Sequence, residues 1–205
     1  MKHTRTLLLA AIIGLSVQAM PALAQDDPAN VAALVFEASQ ARTTTTDDGV
    51  VRIGWTRDDV PVTVDGMRLD PPAGLGSWAA FKPVEGGSMV MGDTVVFEDE
   101  ITPAMDAALA NGLTVTAIHN HFVFDEPKVY FMHIGGHGET AELAAGVKAV
   151  WNAIKAVRER SPEPQRSFGG ATPDADGAID AAPLTDILGM EPTVNDGVVK
   201  FTFAR

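Results

Sequence analysis

Between residues 77 and 160 the spacing of apolar residues repeatedly changes period, and this alternation constrains the fold more than any other feature of the chain. Residues 77–84 and 88–97 are apolar, β-rich runs separated by Glu85-Gly86-Gly87, which predicts a hairpin. Ile101, Met105, Ala108 and Leu109 then share one helical stripe, with Thr102-Pro103 as a start signal and Asn111-Gly112 as a stop. Residues 113–121 return to period two, and residues 129–134 form another β-rich run. Leu143, Val147, Val150, Trp151, Ile154 and Val157 mark one face of a long helix running from near Glu139 to near Arg160. Strand pairs interrupted by two amphipathic helices predict an α+β domain. In it, an antiparallel sheet carries the helices near 102–111 and 139–159 on one face. The order strand–helix–strand–strand–helix from Ser88 matches most of a ferredoxin-like unit, with residues 198–203 available as its last strand.

Upstream, the polar stretch 43–48 precedes a strand over residues 50–55. Residues 60–64 alternate into an Asp65-Gly66 turn, and residues 70–74 read as a loop. Residues 161–183, rich in Pro, Gly, Ala and Asp, read as a linker. Beyond it, the run from Asp196-Gly197-Val198-Val199 echoes the run from Asp48-Gly49-Val50-Val51. Two strands with the same turn could have converged; otherwise residues 184–205 start a second repeat, beside the reading of residues 198–203 as the last strand of the domain.

The N-terminus has the form of a secretory leader. Lys2 and Arg5 precede an uncharged apolar run over residues 7–17, and Ala22-Leu23-Ala24 is a small-x-small cleavage pattern, so residues 1–24 are expected to be removed. The run falls short of the ~20 residues that span a bilayer, and with no cysteine in the chain a lipidated terminus is excluded, so no stable membrane anchor is expected. The protein is expected to be exported, periplasmic or extracellular. Loss of Lys2 and Arg5 deepens the formal net charge from −12 to −14, which argues against a nucleic-acid partner. The absence of cysteine also excludes disulfides and thiolate metal sites, leaving the core to stabilise the domain.

The chemistry concentrates in the histidines. The chain has five; His3 belongs to the leader, and His119, His121, His133 and His137 fall together. Residues two apart on a strand project from one face, so His119 and His121 share a side. If Val123 pairs with Val129, His119 stands opposite His133 and His121 opposite Phe131, with Cβ atoms roughly 4.5–5.5 Å apart. Three imidazoles so placed can share one ion at ~2.0–2.1 Å, and a sharp Gly135-Gly136 turn would bring His137 back as a fourth ligand or as a hydrogen-bond donor to one of the ligands. A slip of one residue would send His133 to the other face. His119 and His121 continue the row Leu113, Val115, Ala117, which should face the core, and buried imidazoles need partners. A metal meets that need; so would mutual hydrogen bonds or carboxylates such as Asp93, Glu98 or Glu100. Imidazole-rich ligation suits zinc first, with copper and nickel as alternatives. His119-x-His121 followed by Glu126 is shared with cupin strands, but the long helices argue against a barrel, and Ser77 lacks a nucleophile elbow.

The segments Gly74-Leu75-Gly76-Ser77-Trp78-Ala79-Ala80-Phe81, Met91-Gly92-Asp93, Ile118-His119-Asn120-His121 and Phe131-Met132-His133-Ile134 resemble the LppY/LpqO family of exported bacterial proteins. The resemblance runs over residues 32–157 and places Asp93, Glu100, His119, His121 and His133 in the shared pattern, while His137 follows a more variable glycine turn. It implies no reaction. Members of that family often look like two tandem copies, so the resemblance supports reading residues 184–205 as the beginning of a second copy, truncated here.

The chain is thus expected to comprise a leader (1–24), an LppY/LpqO-like α+β domain (25–160), a linker (161–183) and the 184–205 segment. Its expected role is transition-metal binding through His119, His121, His133 and His137, with Asp93 as a further candidate ligand. Two alternatives stand beside it. One is a metal-dependent hydrolase of an envelope ester or amide with Glu100 or Glu98 as base; the other is a metal-free envelope interaction protein. The small-molecule or envelope partner is left open.

Overall fold

The computed structural model describes residues 27–166 and 179–204; the expected leader lies outside them, as does part of the 161–183 linker. The chain divides into two units, Met1–Pro164 and Gln165–Arg205.

In the first unit the elements run α1 (Pro28–Ser39), β1 (Thr44–Thr45), β2 (Val51–Thr56), β3 (Thr63–Val64), β4 (Met67–Arg68), the single turn α2 (Pro71–Gly74), β5 (Gly76–Val84) and β6 (Gly87–Phe97). A 3-10 turn (Glu98–Glu100) then leads to α3 (Ile101–Ala110), β7 (Thr114–His119), β8 (Asp125–Glu126), β9 (Val129–Gly138) and α4 (Thr140–Arg160). The class is α+β as expected. A six-stranded antiparallel sheet in the order β1-β2-β5-β6-β9-β7 carries the helices, and β3, β4 and β8 form a small second sheet.

Helix α1 has no clear apolar period in the sequence. It is set by its ends: the Asp27 carboxylate accepts from the Ala29 N–H at 3.1 Å, Pro28 fills the first turn, and Gln40 closes the helix at φ 60°. The stop after α3 is the expected one, with Gly112 at φ 72°. Helix α3 itself starts from the 3-10 turn rather than from a Thr102 cap. Residues 70–74, read as a loop, contain the turn α2, and only Thr63–Val64 of the 60–64 run is strand.

One face of the large sheet packs against α1, α3 and α4 through Val51, Ile53, Phe81, Val90, Val96, Met132 and Ile134, joined by Leu143, Val147, Trp151 and Ile154. The approach of α4 is close. A Cβ at Gly136 would meet Leu143 Cδ2 at 3.0 Å and Leu113 Cδ2 at 3.2 Å. Among the described residues of the first unit, the opposite face is covered at one end only, where Val60, Val62 and Leu75 bury Val95, Phe97, Val129 and Phe131. Beyond Val95 on that face come Asp93 and then Met91 and Met89, which are 58% and 45% exposed.

A buried ion cluster ties the strand ends to α4. Arg57 is fully buried; its guanidinium donates to both Glu100 oxygens (2.8 and 2.9 Å), both Asp59 oxygens and the Val95 carbonyl. It also lies 5.1 Å from the Trp55 ring and 4.8 Å from the Phe97 ring. Arg158 pairs with Glu100 at 2.7 Å and with Asp99. Burial pulls Arg57 down, but the hydrogen bonds of Glu100 and Asp59 outweigh it and leave the guanidinium above its ordinary value.

The second unit contains α5 (Ala182–Leu188), β10 (Thr193–Asn195) and β11 (Val198–Lys200). Strand β11 pairs with β10 in a two-stranded sheet of its own, so residues 198–203 do not supply the last strand of a ferredoxin-like unit; β5 holds the place beside β6. Helix, strand, Asp-Gly turn and strand, in that order, also come first among the described residues of the first unit, with Asp48-Gly49 between β1 and β2. Among the described residues no helix is long and apolar enough to cross a membrane.

Candidate functional site

Strand β7 carries a bulge. Val115 pairs with Ile134 but Ala117 with His133, so Thr116 is an extra residue against β9. An extra residue reverses the alternation. Leu113 and Val115 point toward the helix-covered face, whereas Ala117 and His119 point toward the other. The expectation that His119 and His121 continue the core-facing row is therefore corrected: the bulge turns this end of the strand onto the partly open face.

The register is also displaced from the expected one. His119 pairs with Phe131 rather than His133, because residues 120–128 form a wider excursion than a tight hairpin. The Asp125 carboxylate, 5% exposed, accepts from the Val129 N–H at 2.7 Å and from Lys128, and the Asn120 amide donates to the Val129 carbonyl at 3.1 Å. Side chains thus satisfy the Val129 backbone groups that a paired Val123 would have met, and β8 pairs with β3. A displacement of two residues preserves the face, so His133 still meets His119.

The two imidazoles converge tip to tip, with Nε2 of His119 and Nε2 of His133 2.9 Å apart and the rings at 81°. One nitrogen must donate and the other accept, so the pair holds one proton between its tips. Asp93, directly opposite His133 on β6, brings Oδ2 to 3.7 Å from His133 Nε2. Its Oδ1 is buried without a hydrogen-bond partner. Burial raises the Asp93 pKa above the ordinary carboxyl value, against the opposing pull of His133, His121 and His119.

His121 lies flat on Phe131, with centroids 3.5 Å apart and planes at 9°, and its ring centroid is 5.0 Å from that of His119. His137 is not brought in. Residues 135 and 136 continue β9 rather than turning, so His137 lies on the same face but roughly 13 Å along the strand from His133, opposite Met89. Glu100 belongs to the ion cluster: fully buried, it accepts from Arg57 and from the Phe97 N–H at 2.9 Å and pairs with Arg158. Glu98 receives the Tyr130 hydroxyl at 3.5 Å.

The structure therefore gathers His119, His133 and Asp93, keeps His121 beside them on Phe131, and separates His137 and Glu100. Among the described residues, no group of three or more histidine and carboxylate side chains stands ready to hold an ion without side-chain movement. Two nitrogens 2.9 Å apart can nevertheless each stand ~2.05 Å from one ion at an angle near 90°, and opening the pair by ~0.5 Å gives tetrahedral spacing. The sequence reading missed Met89, Met91 and Trp78 on the same face. Their signal was present as alternation with Asp93 along β6 and across to β5, but apolar residues in a strand read first as core.

A family model described as "Domain of Unknown Function (DUF1259)" matches residues 24–153. No curated protein and no solved structure matches the chain.

Proposed function

From the premise that this chain belongs to the DUF1259 family, whose description carries no activity, we propose an exported domain that binds a transition metal on the half-open face of its sheet. We propose further that it is a protein of the LppY/LpqO type. His119 and His133 supply the first two ligands and Asp93 the third. His121 rotates off Phe131 to join them, or a water completes the shell. Zinc is the first candidate, with copper and nickel as alternatives.

The observation that carries the reading is the meeting of two imidazole tips at 2.9 Å beside a carboxylate whose inner oxygen has no hydrogen-bond partner. A buried acceptor without a donor is costly, and a cation held between it and the imidazoles would remove that cost. Metal binding would also displace the proton held between the rings.

A metal-free interaction surface is the second reading. It is favoured by the absence, among the described residues, of a ready-made three-ligand group and by the exposure of Val123 (76%) and Phe124 (72%) in the adjoining loop. Hydrolysis ranks below both, because Glu100, one of its two expected bases, is occupied by Arg57, Arg158 and the Phe97 N–H, which leaves only Glu98.

Calorimetric titration of the full chain with Zn, Ni and Cu(II) separates the first two readings. One equivalent should bind, His119→Ala and His133→Ala should each abolish binding, and His137→Ala should leave it intact. A parent that takes up none of these ions would leave the interaction surface as the function to pursue.

A further inference from the structure

The open part of the same sheet face carries a second donor set. Strands β6 and β9 run in unbroken antiparallel register from Ser88↔Gly138 to Phe97↔Val129, so directly paired residues share a face. This places Met89 opposite His137, Met91 opposite Gly135 and Asp93 opposite His133. Met89 and Met91 are 45% and 58% exposed, and His137 is exposed as well. The position facing Met91 has no side chain, and a Cβ there would meet only Thr116 Cγ2 and the Val90 carbonyl, both at 3.7 Å, which leaves the thioether room to lean over Gly135 toward His137.

Two methionines one step apart on one face of a strand usually serve as core. Here the neighbours on the other face do that: Val90 packs into the helix-covered core, and Gly92 lies close against Ile134. The methionine row instead projects two flexible, polarisable sulfurs beside an imidazole, on a part of the sheet face that no described element of the first unit covers. We infer that Met89, Met91 and His137 form a site for a soft monovalent cation, Cu(I) in the exported setting, separate from the His119–His133–Asp93 centre. Thioethers and imidazole form a neutral, soft donor set that selects Cu(I) over zinc, calcium or magnesium. Neutral thioethers need no deprotonation to bind, so two of the three donors hold the ion without releasing a proton. The assignment stands whether or not the first centre holds a metal.

The experiment uses Ag(I) as a redox-inert stand-in for Cu(I), added to the full chain labelled with [methyl-13C]methionine in chloride-free buffer. Met89→Leu and Met91→Leu assign the two resonances. Met67, 74% exposed on β4, is an internal control for indiscriminate silver–thioether contact. The Met89 and Met91 methyls should shift together and saturate at one equivalent while Met67 stays in place. Met89→Leu, Met91→Leu or His137→Ala should each weaken binding at least about tenfold, and anaerobic Cu(I) competition should follow the same order. Zinc uptake by the methionine variants should be unchanged, and His119→Ala should retain silver, so failure of one site is distinguishable from failure of the other. If Met67 shifts in parallel with Met89 and Met91, or if the variants bind silver as tightly as the parent, the assignment is overturned.

Discussion

Glu100→Gln separates a structural carboxylate from a catalytic one. The side chain is fully buried and accepts three hydrogen bonds, from Arg57 Nη1 (2.8 Å), Arg57 Nη2 (2.9 Å) and the Phe97 N–H (2.9 Å), besides its ion pair with Arg158 (2.7 Å). Glutamine preserves the volume but removes the charge that balances two guanidiniums and turns an amide N–H₂ toward one of them. Removing one partner of a buried ion pair costs ~3–5 kcal/mol. Asp59 and Asp99 still offset part of the charge here, which places the expected loss near the lower end, ~3 kcal/mol. At ~2–4 °C per kcal/mol for a chain of this size, the midpoint should fall by ~6–12 °C. Urea unfolding followed by tryptophan fluorescence is the assay, since Trp55, Trp78 and Trp151 all belong to the first unit and Trp55 lies against Arg57. Asp59→Asn is the comparison. Its side chain is 34% exposed, so it should cost no more than ~1 kcal/mol. A Glu100→Gln loss under ~1 kcal/mol, at unchanged denaturant slope, would refute the reasoning.

Three further outcomes follow from the geometry. Asp93→Asn should stabilise the metal-free protein at neutral pH, because Asp93 is held above its ordinary value of 3.8 and its ionised form is disfavoured by folding. That native contribution is present below 3.8 and lost as pH rises through the folded value, so the variant's gain in thermal melts should vanish toward pH 3; a gain that persists there would be wrong. Asp59 runs the other way. Burial raises it, but the hydrogen bonds and charge of Arg57 overcome that and hold it below 3.8, so stability present above 3.8 is lost on further acidification. Asp59→Asn should flatten the acid limb of a stability–pH curve. Gly136→Ala should cost ~1–3 kcal/mol in urea unfolding, since the new methyl meets Leu143 and Leu113 at 3.0 and 3.2 Å, whereas a neutral result would mean that α4 can retreat freely.

The elements whose apolar period is long were legible in the sequence: the β5–β6 hairpin, α3 with its Gly112 stop, and α4. Helix α1 was not, because capping at Asp27 and burial of Val31 and Val35, rather than a strong stripe, define it. The histidine group was legible as a group, yet its placement turned on two features that periodicity does not encode. One extra residue, Thr116, reversed the face of His119, and the Asp125 carboxylate held the connecting excursion open and shifted the register by two. These two departures left His119 and His133 on one face. Reading Gly135-Gly136 as a turn failed for a different reason: Gly136 is small because Leu143 of α4 and Leu113 press on it, and the strand runs straight through. Glu100 looked like chemistry because a carboxylate run beside a histidine group has that appearance; its partners Arg57 and Arg158 lie far away in sequence.

The central claim is that His119 and His133 close on an ion, and the direct test is anomalous scattering from crystals of the full chain soaked in zinc. The expected result is one peak ~2.0–2.1 Å from both Nε2 atoms, with the Asp93 carboxylate turned toward it. No peak between the rings, with the imidazoles still in mutual hydrogen-bond contact, would contradict it.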